Sequence, residues 1–434
     1  MHNFQAHTKE IREEMLKSIG VSSIGDLFSQ IPLQARVDEL NLPKPLSELE
    51  ASIEVERLAK SNNTEYLTFM GAGAYNHFIP AAVNEITSRF EFNTAYTPYQ
   101  AEISQGTLQG IYEFQTLICN LTGMDVATAS HYDAATACAE ALLMGARINK
   151  FKKVLISESI NPQYLEVIKT YLNAADIEFD FVRTTVLKTD IEDLKNKVQS
   201  GLYSVALLQN PNFYGSIEEL DEIKNIFEGQ KTILAMCVNP MTLSVLKPPC
   251  EYGAQIVVGD TQPFGCSISF GGAYCGFIAT VDKHKRQLAG RIVGKTVDKD
   301  GNRAFCLTLQ AREQHIRREK ATGNICSNQG LNSLIAVIYL ALMGENGLKD
   351  VAYLSSKNAH NLANELSKKG IKVLSKDFFN EFVIEVENSD EFLANMQVKG
   401  ILAGVKLDDT KVLVCLTEKN TEYTQNEYLK AIGA

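Results

Sequence analysis

Between about residues 66 and 340, short apolar runs of strand length alternate with amphipathic stretches. This alternation constrains the fold more than any other feature of the chain. The runs are Val154–Ser157, Ile177–Val182, Val205–Gln209, Ile233–Val238 and Ile256–Gly259. Helices fill the gaps: Pro162 is suited to the first position of one, and Thr189–Glu192 and Ser216–Glu219 read as capping boxes for two more. Strand and helix repeating at this spacing predict βαβ units. The expected class is α/β, with a large, mainly parallel sheet carrying helices on both faces.

The flanks read differently. In residues 1–65, Thr8 caps a helix ending near Gly20, and Ser47–Glu50 is a capping box opening a helix through about Lys60. The Pro-broken stretch IPLQARVDELNLPKP between them reads as an arm or linker. Past a long apolar helix near 330–344, a helix at 348–369 leads to strands near Val373, at Phe382–Val386 and at Val412–Leu416. A helix near Asp390–Val398 and a final helix complete a small α+β domain. The chain has 434 residues, more than one average domain. The expected division is a helical arm (1–65), a large α/β domain (66–344) and a small α+β domain (345–434).

Composition excludes several classes. The formal charge is −10, from 52 acidic and 42 basic residues, which argues against a nucleic-acid binder that works by neutralising phosphates. The longest apolar run, Leu334–Met343, falls well short of the roughly 20 residues of a membrane span. The N-terminus has no apolar core and three early glutamates, unlike a signal or transit peptide. Nine cysteines without a CxxC pair read as reduced, mostly buried thiols of a cytoplasmic protein. Seven histidines without an HExxH spacing predict no metal.

Four segments carry unusual chemistry. TAYTPYQAEISQGTLQG (94–110) crowds Tyr96, Tyr99, Gln100, Glu102 and Ser104 ahead of a helix, and can offer hydrogen bonds and positive dipole to a small anion; the plainer reading is a surface turn. SHYDAATACAEALLMGAR (130–147) opens a helix whose start suits a phosphate, yet Asp133 is placed to cap it and so compete for the same N–H groups. Glu140 and Arg147 are expected to fall away from that helix's apolar face. GDTQPFGCSISFGGAYCG (259–276) is a glycine-rich loop, with no GK[ST] to make it a P-loop. QAREQHIRREKATGNIC (310–326) gathers Arg312, His315, Arg317, Arg318 and Lys320, which is either a solvated helix face or a surface for an acidic partner or a phosphate-bearing cofactor.

Five stretches resemble one family, the glycine decarboxylase P-protein: MGAGAYNHFIPAAV (70–83), TAYTPYQAEISQGTLQ (94–109), PNFYG (211–215), FGCSISFGGAYCGF (264–277) and REQHIRREKATGNIC (312–326). Within it, the chain is similar to the N-terminal half, which some bacteria make as a separate alpha subunit, subunit 1. The resemblance implies a fold of the aspartate aminotransferase-like, pyridoxal-phosphate-dependent type. It also implies a place in the glycine cleavage system, where glycine is decarboxylated and its aminomethyl group passes to the lipoyl group of H-protein.

Against that family, parts of a cofactor site are missing. A pyridoxal phosphate enzyme needs a lysine for the coenzyme and an acid facing its ring nitrogen. The loop 259–272 contains no lysine; Lys247 and Lys283 lie on either side of it. Met236-Cys237-Val238-Asn239-Pro240 offers no carboxylate. The expectation is a degenerate sister subunit, inactive alone, with the pyridoxal phosphate bound covalently by a partner beta subunit. Tyr96, Tyr99, Gln100, Glu102 and Ser104 are expected to reach that partner's pocket, and Arg317, Arg318 and Lys320 to serve the interface. The alternatives are a self-sufficient enzyme using Lys247, Lys283 or another lysine, and a scaffold that holds the beta subunit or docks H-protein.

Overall fold

A computed structural model describes residues 7–37, 39–92, 97–323, 325 and 329–433. The chain divides into two compact units, one ending at Thr64 and the other starting at Glu65. In the first, α1 (Lys9–Ile19) starts where the Thr8 hydroxyl accepts from the Ile11 N–H, and ends at Gly20. Its second helix, α2 (Glu48–Lys60), opens with the reciprocal capping box of Ser47 and Glu50. Neither helix has a buried side chain.

The second unit is built on a seven-stranded sheet: β1 (Val126–His131), β2 (Lys153–Ser157), β3 (Glu178–Val182), β4 (Val205–Asn210), β5 (Ile233–Val238), β6 (Ile256–Asp260) and β7 (Gly276–Thr280), in the order β1-β7-β6-β5-β4-β2-β3. From β6 to β3 all neighbours are parallel, whereas β7 runs antiparallel to both β6 and β1. Successive side chains point to opposite faces. Ala206 and Leu208 therefore join one core, with Val83 of α3 (Ala81–Thr87) and with Phe114 and Ile118 of α4 (Gln105–Thr122). Val205 and Leu207 join the other, with α5 (Ala134–Asn149) and α6 (Pro162–Ala174). The sheet is thus covered on both faces, as the alternation predicts.

The local signals of the sequence match the structure in part. Pro162 does open α6, behind Asn161 as the cap. The two other capping boxes are not formed. The helix Ile191–Gln199 is capped by Asp190, because the Thr189 hydroxyl is drawn inward to the buried Glu218 carboxylate. The helix Leu220–Phe227 has no side-chain cap, and Ser216 instead bridges to Phe378. Glu140 does not fall away from an apolar face: it is buried, and Arg147 is half-buried, because the alanine-rich α5 is approached closely from several sides. A hairpin, β8 (Ile292–Val297) with β9 (Arg303–Thr308), was not anticipated.

The helix Gly330–Lys368 is broken at Gly344. By composition it is long and apolar enough to span a membrane, but Ala336, Val337, Tyr339 and Leu340 are buried in the core of this unit. Its second half packs with a four-stranded antiparallel sheet whose central strands are Glu381–Glu385 and Lys411–Cys415. All eight described cysteines are free thiols, and Cys138, Cys237, Cys266, Cys275 and Cys415 are buried.

Candidate functional site

In an open α/β sheet, ligands bind beyond the carboxyl ends of the parallel strands. Here that place is defined by Gln209 of β4, Cys237 and Val238 of β5, Asp260 of β6 and the start of α5. The α5 N-terminus is occupied by two carboxylates from this chain. Asp133 caps it, its Oδ1 accepting from the Thr136 N–H at 2.8 Å and the Thr136 hydroxyl at 2.9 Å. Asp260 Oδ2 accepts from the Ala134 N–H at 3.2 Å, and its Oδ1 from Gln262 N–H at 2.8 Å and Cys275 N–H at 3.4 Å. Two of the N–H groups that would hold an anion, those of Ala134 and Thr136, are thus taken by carboxylates, which also face the positive end of the helix dipole.

The opposite wall comes from the small sheet and a loop. Glu381 Oε1 accepts from the Ala72 N–H and its Oε2 from the Tyr75 hydroxyl, both at 2.7 Å. Tyr75 in turn exchanges backbone bonds with the Gln262 side chain, 2.8 Å to Oε1 and 2.9 Å from Nε2. The loop bearing Tyr75 is thereby strapped to both the small sheet and the loop after β6. His77 Nδ1 lies 2.7 Å from Glu418, which also takes the Phe78 N–H at 2.6 Å and closes the strap's far end. Burial pushes both pocket carboxyls up to about 7; for Asp260, the neighbouring Asp133 charge adds to this.

These residues do not fit pyridoxal phosphate. Among the described residues no lysine or arginine lines the space, and the cavity left between the walls is about 20 Å³, room for roughly one water. At the end of β5 stand Cys237, Val238 and Asn239, and the Asn239 side chain is turned back to accept from the Met241 N–H. A phosphate would meet Asp133 and Asp260 where it needs donors. Lys247 and Lys283 are exposed and take no part in the lining.

The motif residues lie elsewhere. None of Tyr99, Gln100, Glu102 and Ser104 lines this cavity, and Tyr96 lies outside the described residues. Tyr99 is half exposed; its hydroxyl accepts from Arg291 Nη2 at 2.7 Å, and the Arg291 guanidinium sits 5.1 Å from the ring centre. The same ring meets His315 edge-on at 5.4 Å, so two segments far apart in sequence converge. Gln100 and Glu102 are exposed, and Ser104 stands at the start of α4 without capping it through its side chain. Gln105 fixes this loop to β9, exchanging hydrogen bonds with the Phe305 backbone at 2.8 and 2.9 Å.

Arg317 and Lys320 line a basin of about 520 Å³ together with Arg286 and Arg312, whereas Arg318 is outside that lining. Sequence reasoning missed Asp260, Glu381, Arg286 and Arg291. Asp260 was visible as the acid ending a fully apolar strand. Nothing local marks Glu381, which enters the site only because the small sheet packs on the loop at 71–78.

Comparison with known proteins follows the same lines. The family model described as glycine cleavage system P-protein matches residues 2–432. The probable glycine dehydrogenase (decarboxylating) subunit 1 of Geobacillus thermodenitrificans is 45% identical, over 100% of this chain and 99% of its own length. That of Francisella philomiragia is 46% identical, over 99% and 98%. A crystal structure of glycine decarboxylase (P-protein) of the glycine cleavage system, in inhibitor-bound form, superposes with a TM-score of 0.92 at 37% identity, covering 99% of each chain. Sphingosine-1-phosphate lyase of Burkholderia pseudomallei shares the fold alone, at TM-score 0.68 and 13% identity over 92% of each chain. The fold is that of the type I pyridoxal-phosphate-dependent enzymes, and the chain belongs to the glycine cleavage system P-protein family.

Proposed function

We propose that this chain is subunit 1 of a two-subunit glycine decarboxylase and completes the active site of a homologous catalytic subunit. That partner holds the pyridoxal phosphate covalently, and the coenzyme there serves as the electron sink for loss of the glycine carboxylate. The aminomethyl group then goes to the lipoyl group of H-protein. The observation that carries this reading is the shut pocket: two carboxylates on the α5 N-terminus, no amine among the described lining residues, and space for about one water. A chain of this family without a usable cofactor site of its own acts through one that has it. Tyr96, Tyr99, Gln100, Glu102 and Ser104 supply this chain's side of the shared site. Exposure of Tyr99, Gln100 and Glu102 in the single chain supports that role. Arg317, Arg318 and Lys320 belong to the interface with that partner.

The test is reconstitution. The isolated chain mixed with pyridoxal phosphate develops no imine absorbance and releases no CO2 from glycine, and adding the second subunit restores both. Borohydride reduction followed by peptide mapping decides where the coenzyme is tethered. A reduced adduct on Lys247, Lys283 or any other lysine of this chain, with glycine turning over, overturns the proposal.

A further inference from the structure

Arg291 is buried without a counter-ion. Its guanidinium makes one hydrogen bond among the described residues, Nη2 to the Tyr99 hydroxyl, while Nε and Nη1 have none and no described carboxylate pairs with it. The Tyr99 ring offers the cation its π face, but a neutral phenol does not cancel the charge. A charge taken out of water and left unpaired is among the costliest groups a fold can hold, and it calls for an explanation. Arg291 is also fixed in place. Its backbone N–H donates to the Ser130 hydroxyl of β1 at 3.0 Å. The preceding Gly290 has a φ of +89°, and a Cβ there would fall on the Ser130 side chain. The chain thus passes too close to β1 for Arg291 to shift, and the cation is held ready before any ligand arrives.

A guanidinium grips a carboxylate through a planar pair of nitrogens, either Nε with Nη2 or Nη1 with Nη2. Nη2 belongs to both pairs and carries two protons. The phenol takes one of them, so whichever pair it blocks, the other keeps both its donors. Tyr99 is half exposed, and a side chain with that freedom changes rotamer within nanoseconds, so this cover can turn aside. The ligand follows from the substrate's own chemistry. Glycine has no side chain, and its amine is committed to the coenzyme, which leaves the carboxylate as the one group a protein can hold. Resting on the function proposed above, we infer that Arg291 receives the carboxylate of glycine in the shared site, with Tyr99 as the ring that covers it when no substrate is bound. The charge leaves that group as CO2 departs, so the grip belongs to substrate binding rather than to the chemical step.

The test uses the assembled two-subunit complex loaded with pyridoxal phosphate, with binding followed by the absorbance of the coenzyme. Glycine and glycinamide are titrated in turn; the second replaces the carboxylate with a neutral amide. In the unmodified complex glycine is expected to bind at least about tenfold more tightly. Arg291→Lys keeps the charge and a donor for Tyr99 but has no planar pair, and should remove most of that preference, with glycinamide changed by less than about twofold. In turnover the loss should appear in KM rather than kcat. A purely structural role for Arg291 would loosen both ligands alike, and that result overturns the inference. An unmodified complex that binds the two equally does so without any variant. An Arg291→Lys chain that folds but no longer assembles also overturns it, since Arg291 then serves the subunit contact. No absorbance response to glycine in the unmodified complex would sink the proposed function itself, whereas a response without preference for the carboxylate sinks this inference alone.

Discussion

The Tyr99 hydroxyl accepts a hydrogen bond from Arg291 Nη2 at 2.7 Å. Arg291 is only 4% exposed, and its Nε and Nη1 have no hydrogen-bond partner among the described residues. The phenol is therefore the main polar anchor of a nearly buried cation. Tyr99→Phe removes it, and leaving a charged donor unpaired costs about 1–3 kcal/mol. We expect the denaturant midpoint of the isolated chain to fall accordingly. In the assembled complex, turnover should fall further than that stability loss explains, because Tyr99 faces outward beside His315 and is proposed to serve the shared site. Unchanged turnover at full assembly would leave Tyr99 with the anchoring role alone.

Much of the large sheet was legible because its strands are buried on both faces and so appear as unbroken apolar runs. Val205–Asn210 and Ile233–Val238 are buried at every position. Less was legible where burial depends on distant neighbours. The strand Ile292–Val297 ends in exposed residues, which hides its pairing; the Asp300-Gly301 step was the available turn signal. The site was half visible. Asp133 declared itself by preceding a run of small residues. Its companion Asp260 is marked only as the acid that ends an apolar strand, and Glu381 reaches the pocket through tertiary packing that no local pattern records.

Gly215 ends the PNFYG motif at a φ of +78°, and a Cβ built there would fall on the backbone carbonyl of Glu381. Gly229 has a similar φ of +73° with open space around it. Replacing each with alanine separates backbone conformation from contact. Gly229→Ala should cost only the left-handed penalty, about 1 kcal/mol. Gly215→Ala adds a collision between backbone segments that cannot rotate away, and should cost about 3 kcal/mol or more. Equal losses in a urea titration of the two variants would mean that the turn and the small sheet separate easily.

Glu381 sets a pH dependence whose sign follows from its burial. Its carboxyl ionises at about 7 in the folded chain, against 4.5 when unperturbed. Between those values the unfolded chain has released this proton while the folded chain retains it. Stability from this group therefore falls as pH rises through the window, by at most about 1.4 kcal/mol per pH unit, and levels off above 7. Glu381→Gln keeps the acceptor for the Ala72 N–H and can donate to the Tyr75 oxygen, so the strap survives without the titration. The variant should gain on the unmodified chain between pH 4.5 and 7, by about 3 kcal/mol in total, measured as unfolding free energies across that range. Parallel curves for the two proteins would mean that Glu381 ionises in the folded state as it does in water, and the shut pocket would then be wetter than its walls suggest.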